Sequence, residues 1–370
     1  PCKAGCRACG LSAKGGTMLT FCTLFDSNYL DKGLVLYESL KSVMGDFKLY
    51  ILAMDDKCFS ILKSMKLSGA VIISLEEFED EELLEIKRQR ARAEYCWTCT
   101  ASLIDYVLET YGEAYCTYID ADLFFYKNPK VLIEEMCDAG CSVQIVKHGF
   151  GEGMLAKEKE KGAGKYCVQF NTFKNDEYGR AVLKTWNRQC RNHCSMEPGE
   201  MGDQKYLSDW AERYERVHVL TNQGGGVAPW NLFRFRSSGQ KGRLVNKKTK
   251  ESFDLIFYHF HHLEYADENQ VNLNVFKKEL GTEKKLVFEI YFPYLKKLEE
   301  TKRMLLDTYG FVPMIKKHPG LKGKTKQEKI RELTKMNMRQ LLYKVHDKLA
   351  YTMGKKKDLS LIHISEPTRP

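Results

Sequence analysis

Apolar residues run almost unbroken from Leu19 to Phe25. A run of that length without alternation suits a strand buried on both faces. Asp26-Ser27-Asn28 ends it, and from Gly33 to Met44 the period becomes helical, with Tyr37, Leu40 and Met44 on one face. Lys48–Met54 predicts a second strand, Phe59–Leu67 a second helix and Ala70–Ser74 a third strand. Glu76–Arg92 starts acidic and ends basic, which predicts one helix whose charges complement its dipole. Tyr95–Tyr111 predicts another helix, and Gly112 leads it into the apolar run Ala114–Ile119. Strands alternating with helices imply right-handed βαβ units and a mainly parallel sheet. The expected fold class is therefore α/β, with helices flanking a central sheet.

Past residue 120 the rhythm changes. Cys141–Val146 and Lys165–Phe173 predict strands, and Tyr178–His193 predicts a helix. Another helix is expected to start at Gly202-Asp203-Gln204, and Val217–Leu220 is a short strand. Gly224-Gly225-Gly226 is read as a flexible joint. An aromatic strand over Asp254–Phe260 reaches His259, His261 and His262, and Tyr291–Tyr309 predicts a helical extension.

The run that ends at Ile119 opens onto Asp120-Ala121-Asp122. Strand side chains alternate faces, so the two acids are expected on one side of the strand's carboxyl end. Adjacent carboxylates repel unless a cation sits between them, and hard oxygen donors suit Mg²⁺ or Mn²⁺. Open α/β sheets bind ligands at the carboxyl ends of their strands. Solvated loop acids are the alternative reading of the same three residues.

Composition narrows the class. About 340 residues of ordinary globular composition suffice for one large α/β domain and an extension. No apolar stretch is long enough to span a membrane, and a cytoplasmic location is expected. The net charge is +9, concentrated between Lys316 and Lys357, where Leu333, Met336, Leu341, Leu342, Val345 and Leu349 recur at helical spacing. A basic amphipathic helix there would make peripheral contact with the inner membrane face, or dock on the domain. No nucleic-acid-binding signature accompanies the charge, so no nucleic-acid partner is expected. Of the 13 cysteines, Cys96-x₂-Cys99 and Cys190-x₃-Cys194 beside His193 could form a zinc site. Buried thiols in a reduced protein are the plainer reading.

The expected organisation is a non-native leader at 1–17 with Met18 as the start, a catalytic domain at 18–268, a helical extension at 269–315, the basic tail at 316–357 and a foreign end at 358–370. Residues 359–369 are similar to a translated sequencing-library adapter.

Five segments in order carry a family likeness. They are Thr23-Leu-Phe-Asp-Ser-Asn-Tyr29 with Leu36-Tyr-Glu-Ser-Leu40, Asp120-Ala-Asp122, Gln169-Phe-Asn-Thr172, Gly202-Asp-Gln204 and Tyr258-His-Phe-His261. Over roughly 18–265 the chain resembles the GT-A nucleotide-sugar glycosyltransferases, most closely glycosyltransferase family 8. The resemblance implies a Rossmann-like GT-A fold and a metal-dependent transfer of a sugar from a nucleoside diphosphate, UDP above all, to a hydroxyl of a glycan or glycolipid, with retention. It implies that Asp26, Asn28 and Tyr29 face the nucleotide together with Asp120. Asp120, Asp122 and His259 would hold the metal, with His261 as the alternative ligand. Carboxylate–imidazole ligation favours Mn²⁺ over Mg²⁺. Asn171, Asp203 and Gln204 would lie near the donor sugar. The family follows its "HF" motif with Gly and Lys-Pro-Trp, whereas here come His262, Leu263 and Glu264. That leaves the diphosphate-binding lysine unassigned, and Arg92 is the candidate basic contact.

Each residue also has a structural reading. Asp26, Asn28 and Asp203 could cap helices, Asn171 could satisfy a strand end, and His261 or His262 could be buried and hydrogen-bonded. A sugar-1-phosphate nucleotidyltransferase, a metal-dependent phosphoesterase and a non-catalytic carbohydrate-binding protein are the competing classes. The first normally carries a Gly-rich, Arg-containing loop after its first strand, and Thr23–Leu30 has none.

Overall fold

The continuous apolar runs become the middle of a layered sheet. The computed structural model describes residues 18–197, 200–267, 270–275 and 282–313. Its first half contains β1 (Leu19–Phe25), α1 (Leu30–Val43), β2 (Phe47–Ala53), α2 (Asp56–Met65), β3 (Ala70–Ile73), α3 (Leu75–Phe78), α4 (Glu81–Gln89), α5 (Arg92–Thr110) and β4 (Tyr115–Ile119). Then come β5 (Leu123–Phe125), α6 (Lys130–Asp138), β6 (Val143–Lys147), α7 (Met154–Ala163), β7 (Tyr166–Lys174), α8 (Glu177–Asn192) and α9 (Trp210–Arg213). The rest is β8 (Val217–Val219), β9 (Gly225–Val227), β10 (Phe235–Ser237), β11 (Arg243–Asn246), β12 (Ser252–Asp254), β13 (Phe257–His259), β14 (Glu264–Asp267), β15 (Gln270–Asn272) and α10 (Lys284–Tyr309).

The main sheet has seven strands in the order β3-β2-β1-β4-β7-β6-β8. Only β7 runs against the others, pairing antiparallel with β4 and β6. The mainly parallel α/β sheet with flanking helices is therefore as the strand–helix alternation implies. One face packs Phe21, Ile51 and Ile119 against Leu34, Leu62 and Met136. The other packs Cys22, Leu52 and Tyr118 against Ile104, Leu108 and Trp186. α10 joins a third cluster, in which Tyr291, Tyr294 and Leu298 cover Val35, Tyr258 and Phe260. No helix among the described residues is long and apolar enough to cross a membrane.

Four expectations are corrected. Glu76–Arg92 is two helices, because the Asp80 side chain accepts from the Leu83 N–H and starts a new one. Gly202-Asp203-Gln204 opens a 3₁₀ segment, Gln204–Asp209, before the four-residue α9. Gly224-Gly225-Gly226 is no joint. Gly225 begins β9, and a Cβ at Gly224 would sit 2.0 Å from the Asp254 carbonyl oxygen, so close packing sets the residue. Asp254–Phe260 is not one strand: Ser252–Asp254 pairs with β11, and Phe257–His259 belongs to a separate sheet ordered β5-β13-β9. The expected leader, the basic tail and the adapter-like end lie outside the described residues.

Candidate metal and nucleotide site

β4 ends at Ile119, one residue before the acids. The chain turns there, with the Leu123 N–H donating to the Asp120 carbonyl. The acids are therefore gathered by a turn rather than by the strand's pleat. β5 leaves that turn and zips antiparallel onto β13, with Leu123 opposite His259. The Phe260 N–H donates to the Asp122 carbonyl at 2.9 Å. This pairing carries an imidazole from more than a hundred residues away onto the acid turn.

His259 Nε2 lies 3.0 Å from Asp122 Oδ1 and 3.6 Å from Asp120 Oδ2. Among the described residues, Asp120, Asp122 and His259 are the one group whose ligand atoms all lie close enough to share a metal ion, within 4.8 Å of one another. Gln169 fixes the ring. Its Oε1 is 2.8 Å from His259 Nδ1, and its carbonyl accepts from the Asp120 N–H. An Nδ1–H given to Gln169 leaves Nε2 facing the carboxylates as a donor atom for a metal.

The electrostatics follow from burial. Burial raises both carboxyls, but the His259 ring outweighs it at Asp122 and holds that acid below the usual range. Asp120 is pushed up by burial and by Asp122 beside it. Burial alone would discharge His259, yet Asp122 and Asp120 hold its pKa above the ordinary value. The donor set fits a divalent cation of the Mn²⁺ or Mg²⁺ kind. Asp120 retains a quarter of its side-chain exposure as an approach. Beyond them Asn171 is fully buried, and neither of its amide atoms has a partner in the protein. Buried amides are almost always bonded, and this one is not.

The remaining expected residues stand as follows. Asp203 is buried, and burial with nearby Asp120 pushes it up to about 8. Gln204 follows it, half-buried, at the start of the 3₁₀ segment. His261 is half-buried, its ring 5.3 Å from those of both His259 and Trp230, and it stands outside the ligand group. Asp26 caps the turn Ser27–Tyr29, accepting from the Tyr29 N–H at 3.2 Å, and Asn28 Nδ2 donates to it. The capping reading of Asp26 is therefore met. Arg92 Nε is 2.7 Å from Asp26 Oδ2, and its other arm reaches Asp55 at 2.9 Å. Arg92 also lines a cavity of about 240 Å³ with Met54, Leu75, Lys87 and Tyr95. Tyr29 bridges the two regions: burial raises its phenol, and Asp122, Glu264, Asp26 and Asp120 add to the effect. Cys96, Cys99, Cys190 and Cys194 are free thiols with pKa values raised by burial, and they form no metal-binding group. Trp186 and Trp210 are core residues.

No family model matches the chain. YfnF of Bacillus subtilis (strain 168), described as an uncharacterized protein, is 31% identical over 258 residues, which cover 68% of this chain and 84% of YfnF. The chain belongs to the YfnF family. A second Bacillus subtilis (strain 168) protein described as uncharacterized, YfnD, is 27% identical over 284 residues, 75% of this chain and 88% of YfnD. Among solved structures the fold is distantly similar to mouse xyloside xylosyltransferase 1, with 13% identity, 66% of this chain, 98% of that one and a TM-score of 0.43. It is likewise similar to the galactosyltransferase LgtC with donor and acceptor sugar analogs, with 10% identity, 76% and 96% coverage and a TM-score of 0.45.

In this YfnF-family chain, several residues at the site carried no sequence signal of their own. Trp230 meets the rings of His259 and His261 edge-on at 5.3 Å each, while its indole N–H donates to the His148 carbonyl. Asn231 donates to the same carbonyl at 2.8 Å. Gln169 stood inside a motif, where its strand position hid the hydrogen bond that sets its use. Lys32 follows an acid in the first turn of α1 and reads as a surface residue, yet it is buried.

Proposed function

We propose that this chain is a glycosyltransferase of the GT-A type that holds a divalent metal, Mn²⁺ first, and moves a sugar from a UDP-type donor to a hydroxyl acceptor with retention. The observation that carries the reading is the convergence of Asp120, Asp122 and His259 at the carboxyl end of β4, beside the unpartnered amide of Asn171. Asp120, Asp122 and His259 would hold the metal, and when bound it would supply Lewis-acid neutralisation of the departing diphosphate. Gln169 keeps the imidazole in one orientation. Asp26, Asn28 and Tyr29 would form one wall for the nucleoside, with Arg92 ion-paired to Asp26 beside it. Asn171 offers a donor and an acceptor to sugar hydroxyls. Asp203, which retains its proton near neutrality, can donate to one as well, and Gln204 would face the oxocarbenium-like carbon. A cell-envelope glycan is the proposed acceptor class, with the basic segment 316–357 bringing the enzyme to the inner membrane face.

The test is a panel of UDP-sugars with and without Mn²⁺, using the wild type and Asp122→Asn. Wild-type sugar release or transfer requires the metal. The variant loses at least about 10²-fold, matching the several kcal/mol a Lewis acid supplies. Metal-dependent turnover that survives in Asp122→Asn refutes the metal assignment. Free phosphate in place of sugar transfer would move the protein to the phosphoesterases.

A further inference from the structure

Lys32 is the one lysine among the described residues that is buried, at 8% exposure. Its ammonium donates to the Leu263 carbonyl at 3.0 Å and lies 4.0 Å from the centroid of the Tyr29 ring. Among the described residues no carboxylate lies within ion-pair distance of it. A neutral carbonyl and a ring face are weak compensation for burying a full charge. The compensating acids act from farther off: Lys32 helps to lower Asp122 and tempers the rise of Asp31. Asp122 is one of the acids a metal would neutralise, which would leave the ammonium with less counter-charge than it has now.

The position matters as much as the charge. Tyr29 sits between the Asp26 turn and the acid cluster, feeling Asp122, Glu264, Asp26 and Asp120 together. Lys32 lies on the ring of that tyrosine. A nucleoside at the Asp26 turn and a metal at Asp120, Asp122 and His259 would leave the span between them to the phosphates, and the unpaired ammonium borders that span. An ammonium has three donors, and one is used by Leu263.

We infer that Lys32 is a phosphate-binding residue of this site, with its ammonium opposite the metal group and contacting the diphosphate of the donor. The inference rests on the nucleotide-sugar reading above and adds the residue that makes the site select a diphosphate over a monophosphate. Lys32 packs on the Tyr29 ring but is no member of the metal group, so unchanged UMP and Mn²⁺ affinities in its variants separate a lost phosphate contact from a disturbed wall.

The experiment is calorimetric titration of the full chain with UDP and with UMP, each with and without MnCl₂, for the wild type, Lys32→Met and Lys32→Gln. Melting temperatures and Mn²⁺ titrations of each variant run alongside. The wild type prefers UDP to UMP in the presence of Mn²⁺. In the variants UDP affinity falls by about tenfold or more, as expected for a lost charge-assisted bond. UMP and Mn²⁺ affinities stay within about threefold. Equal losses for UDP and UMP, or no loss for either, overturn the role of Lys32 and leave the glycosyltransferase reading in place. A wild type that binds neither nucleotide with Mn²⁺ removes that reading, and this inference with it. Lys32→Gln is one atom shorter but keeps a hydrogen-bonding amide in place of the charge, so it decides the matter if Lys32→Met melts early.

Discussion

At the scale of single residues, the site is a buried charge problem solved by geometry. Gln169 is the clearest case: one side chain aims the imidazole, and one carbonyl from the same residue anchors Asp120. Gln169→Leu keeps the volume and loses the orientation. Mn²⁺ affinity should fall about 10–100-fold, the usual effect of an outer-shell partner, as read by calorimetry. Protons compete with the metal for His259. Its pKa is held above the ordinary value by Asp122 and Asp120, so Mn²⁺ binding should weaken as the pH falls through that raised value. Mn²⁺ titrations at pH 8.5 and pH 6.0 check this, with the tighter binding at the higher pH. The metal-free protein should show the opposite sign. A folded pKa above the unfolded one gives stability that is complete below the unfolded value and is lost as pH rises through the folded value. For Asp203 that window runs from its ordinary carboxyl range to about 8. The melting temperature without metal should therefore decline across it, and Asp203→Asn should flatten the decline.

At the scale of elements, short connections decide where these residues stand. Gly202 precedes Asp203 with φ +56°, and a Cβ there would lie 2.4 Å from the Trp97 ring. Gly202→Ala should cost about 2–4 kcal/mol, from left-handed strain plus the clash, and should weaken UDP–Mn²⁺ binding by displacing Asp203. Gly140 has φ +67° but open space around its Cβ position. Gly140→Ala should cost about 1–2 kcal/mol and leave binding unchanged. Denaturant melts and calorimetry of the two variants separate strain from site disruption. The pairing of β5 with β13 is the other decisive connection. Without it the acids of the turn and the histidine of a late strand have no reason to meet. Periodicity could not show this, because three-residue strands carry too short a pattern to assign partners.

At the scale of the whole molecule, α10 is part of the body. Tyr291, Tyr294 and Leu298 are fully buried against Val35, Tyr258 and Phe260. Each large apolar side chain buried is worth about 1.5–3 kcal/mol, and a domain has only about 5–15 kcal/mol in total. A chain ending before Thr282 should therefore lose cooperative melting by circular dichroism, whatever metal is added. In the intact chain Mn²⁺ at about a hundredfold over its dissociation constant should stabilise the fold by about 2.7 kcal/mol.

The sequence by itself determined the strands of the first half, its helices apart from the break at Asp80, the parallel sheet they build and the acid pair at the end of β4. Those features are local: a continuous apolar run or a 3.6-residue period is written in adjacent residues. Tertiary structure alone decided that Asp120 and Asp122 share a turn, that His259 joins them through the β5–β13 pairing, and that Gln169 orients the ring. It also decided that Lys32 is buried, on the Tyr29 ring and against the Leu263 carbonyl. These depend on contacts between residues far apart in the chain, and the energy of such a contact exists only once burial has removed the water that would otherwise satisfy each group.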